Sequence, residues 1–144
     1  IDTEARWMPD GRSIVFTSDR GGSPQIYRLA IDGGRPTRLT FNMGDYNSRA
    51  SISPDGKTMA VVNGGDKGYR IAVVDLENGN FDVLTNGRLD ESPSFAPNGA
   101  MIIYATMGAN GAELATVSAD GRVRQRLALQ TGEVREPAWG PLRK

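Results

Sequence analysis

The stretch Ser51–Val62, "SISPDGKTMAVV", places a turn between two short apolar runs. Pro54 presets φ, the Asp55 side chain bonds back to the chain, and Gly56 accepts a positive φ. Any hairpin carries such punctuation, so what decides the fold is that the phrase returns. It recurs as "RWMPDGRSIVF" from Arg6, as "SFAPNGAMIIY" from Ser94 and, truncated, as "AWGPL" from Ala138.

The prolines of these phrases, Pro9, Pro54, Pro97 and Pro141, stand 45, 43 and 44 residues apart. A period of about 40–50 residues points to a propeller-like array when each unit reads as β. Two residues before each proline stands a bulky apolar side chain: Trp7, Ile52, Phe95 and Trp139. Ile26, Ile71 and Leu114 lie 17 residues after the proline, and Leu39, Leu84 and Leu127 lie 30 after it. These offsets hold without an insertion, which makes the repeat real rather than compositional.

Each unit predicts four strands. The first carries the bulky residue and ends at the proline, as in Arg49–Ser53. The second is rich in β-formers: Ile14–Ser18, Met59–Asn63 and Ile102–Thr106. The third surrounds the residue 17 past the proline: Gln25–Ile31, Tyr69–Asp75 and Ala112–Ser118. The fourth is short and more polar: Thr37–Thr40, Asp82–Thr85 and Val123–Leu127. Gly-rich runs supply the hairpins between strands two and three, and "DGG", "NGN" and "DGR" those between three and four. No stretch carries a sustained helical period. The expected fold class is all-β, a β-propeller of about three four-stranded blades plus one extra inner strand. One partial domain then spans 1–144, with repeats at approximately 3–46, 47–89 and 90–133 and a last strand at 134–141.

Because the offsets within a unit are fixed while the periods differ, all length variation falls in the connections between units. These are "FNMGDYNSR", "NGRLDES" and "QTGEVRE". Exposed loops on a rigid scaffold commonly carry function, so the expected binding face is the one that these connections enter.

Composition narrows the chemistry. The 144 residues include 17 basic and 17 acidic side chains and a net charge of zero, which argues against nucleic acid as a partner. The cluster "RVRQR", Arg122–Arg126, reads as the solvated face of a strand. No apolar run reaches membrane-spanning length or resembles a signal peptide, so any secretion signal would lie upstream of Ile1. With no cysteine, the redox compartment is unreadable. The absence of both histidine and cysteine excludes Ser-His-Asp and Cys-His catalysis and thiolate or imidazole metal sites.

The remaining candidates reduce to structural roles. Asp90 and Glu91 are adjacent in a strand or its approach, so they point to opposite faces and are poorly placed to share a proton. Loop-rim binding or plain solvation is the expectation for both. Asp10, Asp32, Asp55 and Asp120 each precede glycine but lack EF-hand spacing, which suits hairpin turns rather than calcium. "DRGGSP", Asp19–Pro24, opens no helix and so makes no phosphate cradle. Lys57 and Ser53 belong to an exposed turn. Trp7, Ile52, Phe95 and Trp139 are expected in the core, wedged between blades.

The stretch "PDGRSIVFTSDRGGSPQIYRLAIDGGRPTRLT" resembles the PD40-type propeller repeat, and the whole chain is similar to the C-terminal half of the TolB family of β-propellers. "LDESPSFAPNGAMIIYAT", followed by "VSADGRVRQRLALQTGEVREPAWGPL", carries the more specific part of that resemblance. The resemblance implies half of a six-bladed ring within a periplasmic component of the Tol-Pal system, which supports outer-membrane integrity and cell division. It implies binding of the peptidoglycan-associated lipoprotein Pal on the propeller, a surface that colicin translocation segments also exploit. It further implies contact with TolA only through an N-terminal domain absent from this chain, with no enzymatic activity, no cofactor and no membrane insertion. Carried onto this sequence, the partner surface maps to Thr3 and Glu4, to Asn47, Ser48 and Arg49, to Asp90, Glu91 and Ser92, and to Arg135 and Glu136.

Two other readings stand beside this one. One is the propeller portion of an oligopeptidase-like hydrolase, which a downstream α/β-hydrolase segment with its nucleophile elbow would favour; against it, "AWGPLRK" reads as a terminus. The other is an inactive propeller fragment. Closed propellers use about 4–8 blades, so the chain is expected to need a second copy or the missing half to close its ring.

Overall fold

The structure, a computed structural model, describes residues 2–65, 68–109 and 111–127. The expected last strand at 134–141, with Arg135, Glu136 and Trp139, lies outside the described residues. Twelve strands and no helix are described. The first blade comprises β1 (Asp2–Trp7), β2 (Ser13–Ser18), β3 (Gln25–Ala30) and β4 (Thr37–Arg38). The second comprises β5 (Tyr46–Ile52), β6 (Thr58–Gly65), β7 (Gly68–Asp75) and β8 (Phe81–Val83). The third comprises β9 (Glu91–Phe95), β10 (Met101–Gly108), β11 (Gly111–Ser118) and β12 (Arg124–Leu127). Each blade is an antiparallel meander in chain order, the architecture that the repeat predicts.

The opening phrase does what its residues dictate. In the second blade Gly56 N–H donates to the Ser53 carbonyl (2.9 Å), and Ser53 N–H donates to Thr58 (2.9 Å), closing the turn from β5 to β6. The Asp55 carboxylate accepts from the Lys57 N–H (2.9 Å) and from the Ser53 hydroxyl (2.6 Å). Gly56 sits at φ 74°, a left-handed conformation that suits glycine. Asp10 and Asn98 accept from Arg12 and Ala100 in the same way in the neighbouring blades. "SADG" at Ser118–Gly121 repeats the device between β11 and β12, with Asp120 accepting from Arg122.

The apolar core lies between blades. One cluster joins Val15 and Ile26 of the first blade to Met59, Val61, Ala72 and Val74 of the second. The other joins Ala60, Val62, Ile71 and Leu84 of the second blade to Phe95, Ile102, Tyr104, Ala115 and Val117 of the third. Strand alternation explains the division: Met59 and Val61 face one way from β6, Ala60 and Val62 the other. The regular offsets read from the sequence therefore mark interblade positions. Ile52 and Phe95, before their prolines, pack on the preceding blade, and Ile26, Leu39, Ile71 and Leu84, 17 and 30 positions after theirs, pack on the following one.

That geometry corrects one expectation. Phe95 is 7% exposed and Ile52 packs into its cluster, but Trp7 is 59% exposed. Trp7 occupies the same repeat position, and its partner surface would be a blade before the first. Strand bounds also shift. The fourth strands of the first two blades are shorter at their C-terminal ends, because Thr40 and Thr85 turn their hydroxyls back to accept from the N–H groups of Ile26 and Ile71, while that of the third ends at Leu127 as expected. The inner strand of the second blade begins at Tyr46, three residues before the expected start.

Main-chain bonds also tie blade to blade. Asn47 N–H donates to the Pro24 carbonyl (2.9 Å), and at the equivalent place Asp90 N–H donates to Tyr69 (3.0 Å).

Two measurements check this account. Phe95→Ala, in the protein that contains this chain, is expected to cost about 3–5 kcal/mol in urea unfolding; a loss below about 1 kcal/mol would mean that the interblade cluster is not the stabilising core. The second concerns the turn. The Ser53 hydroxyl and the Lys57 N–H hold the Asp55 carboxyl below its ordinary value. A depressed carboxylate contributes stability above its unfolded pKa and loses it as the pH falls through the folded one. NMR titration should thus place Asp55 below a free aspartate, and Ser53→Ala should move its midpoint upward.

Candidate functional site

Each inner strand is interrupted at the same repeat position. The pairing of β1 with β2 slips between Thr3 and Arg6, that of β5 with β6 between Ser48 and Ser51, and that of β9 with β10 between Ile103 and Ala105. At the slip stand Glu4 (φ 59°), Arg49 (φ 55°) and Ser92 (φ 54°), all five residues before their proline and all left-handed. Non-glycine residues adopt this conformation rarely, at a cost of about 1–2 kcal/mol. A β-bulge that carries it re-aims the side chains on either side. The surroundings hold it in place: Arg49 N–H donates to the Thr17 hydroxyl of the preceding blade (3.3 Å).

The bulges bring the sequence candidates into two layers. Glu4 and Arg49 stand in neighbouring blades and form an ion pair, Nε to Oε2 at 3.1 Å, with side chains 26% and 41% exposed. Thr3 is exposed, and Glu91 and Ser92 are half-buried. Asn47, Ser48 and Asp90 are instead buried. Asn47 donates to Gln25 Oε1 (3.0 Å) and accepts from Asn63 (2.8 Å), while Gln25 also accepts from Thr40 (2.6 Å). This amide network seals the first two blades together behind the rim. Among the described residues, the Ser48 hydroxyl is buried without a hydrogen-bond partner.

Asp90 differs from its expected placement. It is neither solvated nor on the rim: Oδ1 accepts from the Thr106 hydroxyl (2.5 Å) and Oδ2 from the Gly87 N–H (2.9 Å). The reason is positional. Asp90 lies seven residues before its proline, as Asn47 does, and that position points into the seam between blades.

Reading for strands missed the bulges, although a signal was present. The pairs Glu4-Ala5, Arg49-Ala50 and Ser92-Pro93 set a polar residue before a small one or proline inside an otherwise β-like run. Proline within a strand often marks a bulge. What the rim offers chemically is charge and hydrogen bonding on a rigid backbone. Among the described residues, no group of three or more His, Cys, Asp or Glu side chains is placed to hold a metal ion.

Comparison with known proteins fits this geometry. The TolB β-propeller domain family, PD40, matches residues 1–143. The chain is 54% identical over 141 residues to the Tol-Pal system protein TolB of Bordetella pertussis, covering 98% of this chain and 32% of that protein. It is 57% identical over 118 residues to TolB of Xanthomonas campestris pv. campestris, covering 81% and 27%. The crystal structure of TolB from Acinetobacter baumannii superposes with a TM-score of 0.91 at 51% identity, over 99% of this chain and 36% of that one. A puromycin-hydrolyzing peptidase of Mycobacterium tuberculosis, at 20% identity and a TM-score of 0.69, shares the fold alone. The chain thus spans about a third of the relatives it matches, and its repeat, its three blades and this match place it in the TolB β-propeller family.

Proposed function

We propose that the chain is part of a non-catalytic propeller of a Tol-Pal system, acting in the periplasm, and that the mouth formed by its inner-strand bulges binds the lipoprotein Pal. Colicin segments would use the same surface, and TolA would be engaged by another part of the protein. The observation that carries this reading is the recurrence of one strained conformation at Glu4, Arg49 and Ser92. Strain of this kind persists where the fold over-determines it, and it gathers at functional sites. Relatives that carry the Tol-Pal system name at 54–57% identity support the same reading.

The exposed layer, Thr3, Glu4, Arg49, Glu91 and Ser92, would meet the partner. Asn47, Ser48 and Asp90 would act from behind it. Buried side chains fix the height and angle of the rim, whereas rim charges set encounter rate and specificity. Arg135 and Glu136 belong to the same proposal by repeat position.

The test uses the complete protein and purified Pal. Glu4→Lys should weaken Pal binding at least about tenfold by calorimetry, with melting temperature nearly unchanged, since an exposed ion pair is worth about 0.2–1 kcal/mol. The exchange Glu4→Arg with Arg49→Glu restores the pair but inverts its order along the rim, so affinity should stay low. Wild-type affinity in both variants would remove this pair from the site.

A further inference from the structure

The two seams between blades are built from equivalent positions, yet they differ in kind. In the first seam the second blade contributes Val61, Phe81 and Val83, and Asn47 is satisfied by neutral amides. In the second seam the same four positions hold Tyr104, Arg124, Arg126 and Asp90. At these four positions the first seam folds without a carboxylate or an arginine, so folding alone does not require the set found in the second. Local departures of this sort are expected at functional sites.

Both seams open onto space beside these positions, the first next to Asn63 and Phe81 and the second next to Asp90. A cavity of about 340 Å³ is lined by Asp90, Tyr104, Thr106, Arg124 and Arg126, among others. That volume is within the range of small-molecule sites. At its floor the Asp90 residue is 1% exposed, and its carboxylate has two hydrogen bonds but no ion pair among the described residues. Keeping a buried carboxylate without a cation is costly. Tyr104 is 6% exposed, and its hydroxyl has no hydrogen-bond partner among the described residues.

Towards the outer end the charge reverses. Arg124 donates to Asn86 (3.1 Å) and Arg126 pairs with Glu113 (3.0 Å), each leaving guanidinium N–H groups to spare. Burial, and then the charge of Asp90, push the Tyr104 hydroxyl above its ordinary pKa. It therefore stays protonated and able to donate.

We infer that this cavity is a binding site for a small zwitterion, an amino acid or short peptide with an ammonium group and a carboxylate a few atoms apart. The ammonium enters beside Asp90 and pairs with its carboxylate. The carboxylate turns outward to Arg124 and Arg126, and the Tyr104 hydroxyl bonds whichever polar atom lies between. The cavity shares Asp90 with the layer behind the rim, but its other lining residues lie in the seam, and the diglycine test does not depend on Pal binding.

The experiment uses the complete protein with diglycine as probe, followed by calorimetry and by NMR of the tyrosine rings. Saturable binding is expected below about 10 mM, given the few atoms of the ligand, with a shift of the Tyr104 ring signals. N-acetylated and C-amidated diglycine should each bind at least tenfold more weakly. Asp90→Asn installs the residue that the first seam already uses, and Tyr104→Phe keeps the ring, so both should fold; each should weaken diglycine at least tenfold. Absence of saturable binding by about 50 mM, equal binding of either capped form, or wild-type affinity in both variants would overturn the assignment.

Discussion

A four-stranded twisted sheet has two faces, and in this chain both are apolar, so no blade can bury its own side chains. Everything else rests on blades covering one another. The two interblade clusters hold nearly all of the fully buried aliphatic residues, and the strict offsets of the repeat exist to bring them into contact. The exposed Trp7 is the same rule seen from its unfilled side. A residue that is core by its position in the repeat is on the surface here because a face needs a neighbour. The chain spans about a third of its relatives, and that neighbour would come from a preceding blade.

The stiffness of this packing is what lets a strained backbone survive at the mouth. An isolated strand would relax a left-handed Arg49 into extended geometry. Here Thr17 holds its N–H from one blade, and the Glu4 carboxylate meets its side chain from the same blade. The buried Asn47–Gln25–Thr40 network lies directly behind, so the rim is supported by groups that a partner would not touch. The division of the candidate residues into an exposed and a buried layer follows from strand alternation across the bulge.

The blade architecture was legible because it is periodic: turns, offsets and β-rich runs repeat, and each copy checks the others. Strand ends were less legible. The hydroxyls of Thr40 and Thr85 replace a strand bond with a side-chain bond, and composition does not distinguish the two. The candidate site was half visible. Spacing identified the connections, and family resemblance named residues within them, but neither showed that Asp90 turns inward. That fact depends on the register between β9 and β10, where the pairing slips by a residue. A one-residue shift exchanges the two faces of a strand, so side-chain direction beyond a bulge is decided by a feature with only a faint sequence signature.

The bonds from Asn47 to Pro24 and from Asp90 to Tyr69 join successive blades through main-chain atoms alone. A load applied to the mouth is therefore shared among blades by amide groups that every residue except proline provides. Mechanical continuity around the rim is in this way uncoupled from rim chemistry. Side chains there are free to vary, while the main-chain stitches between blades stay the same.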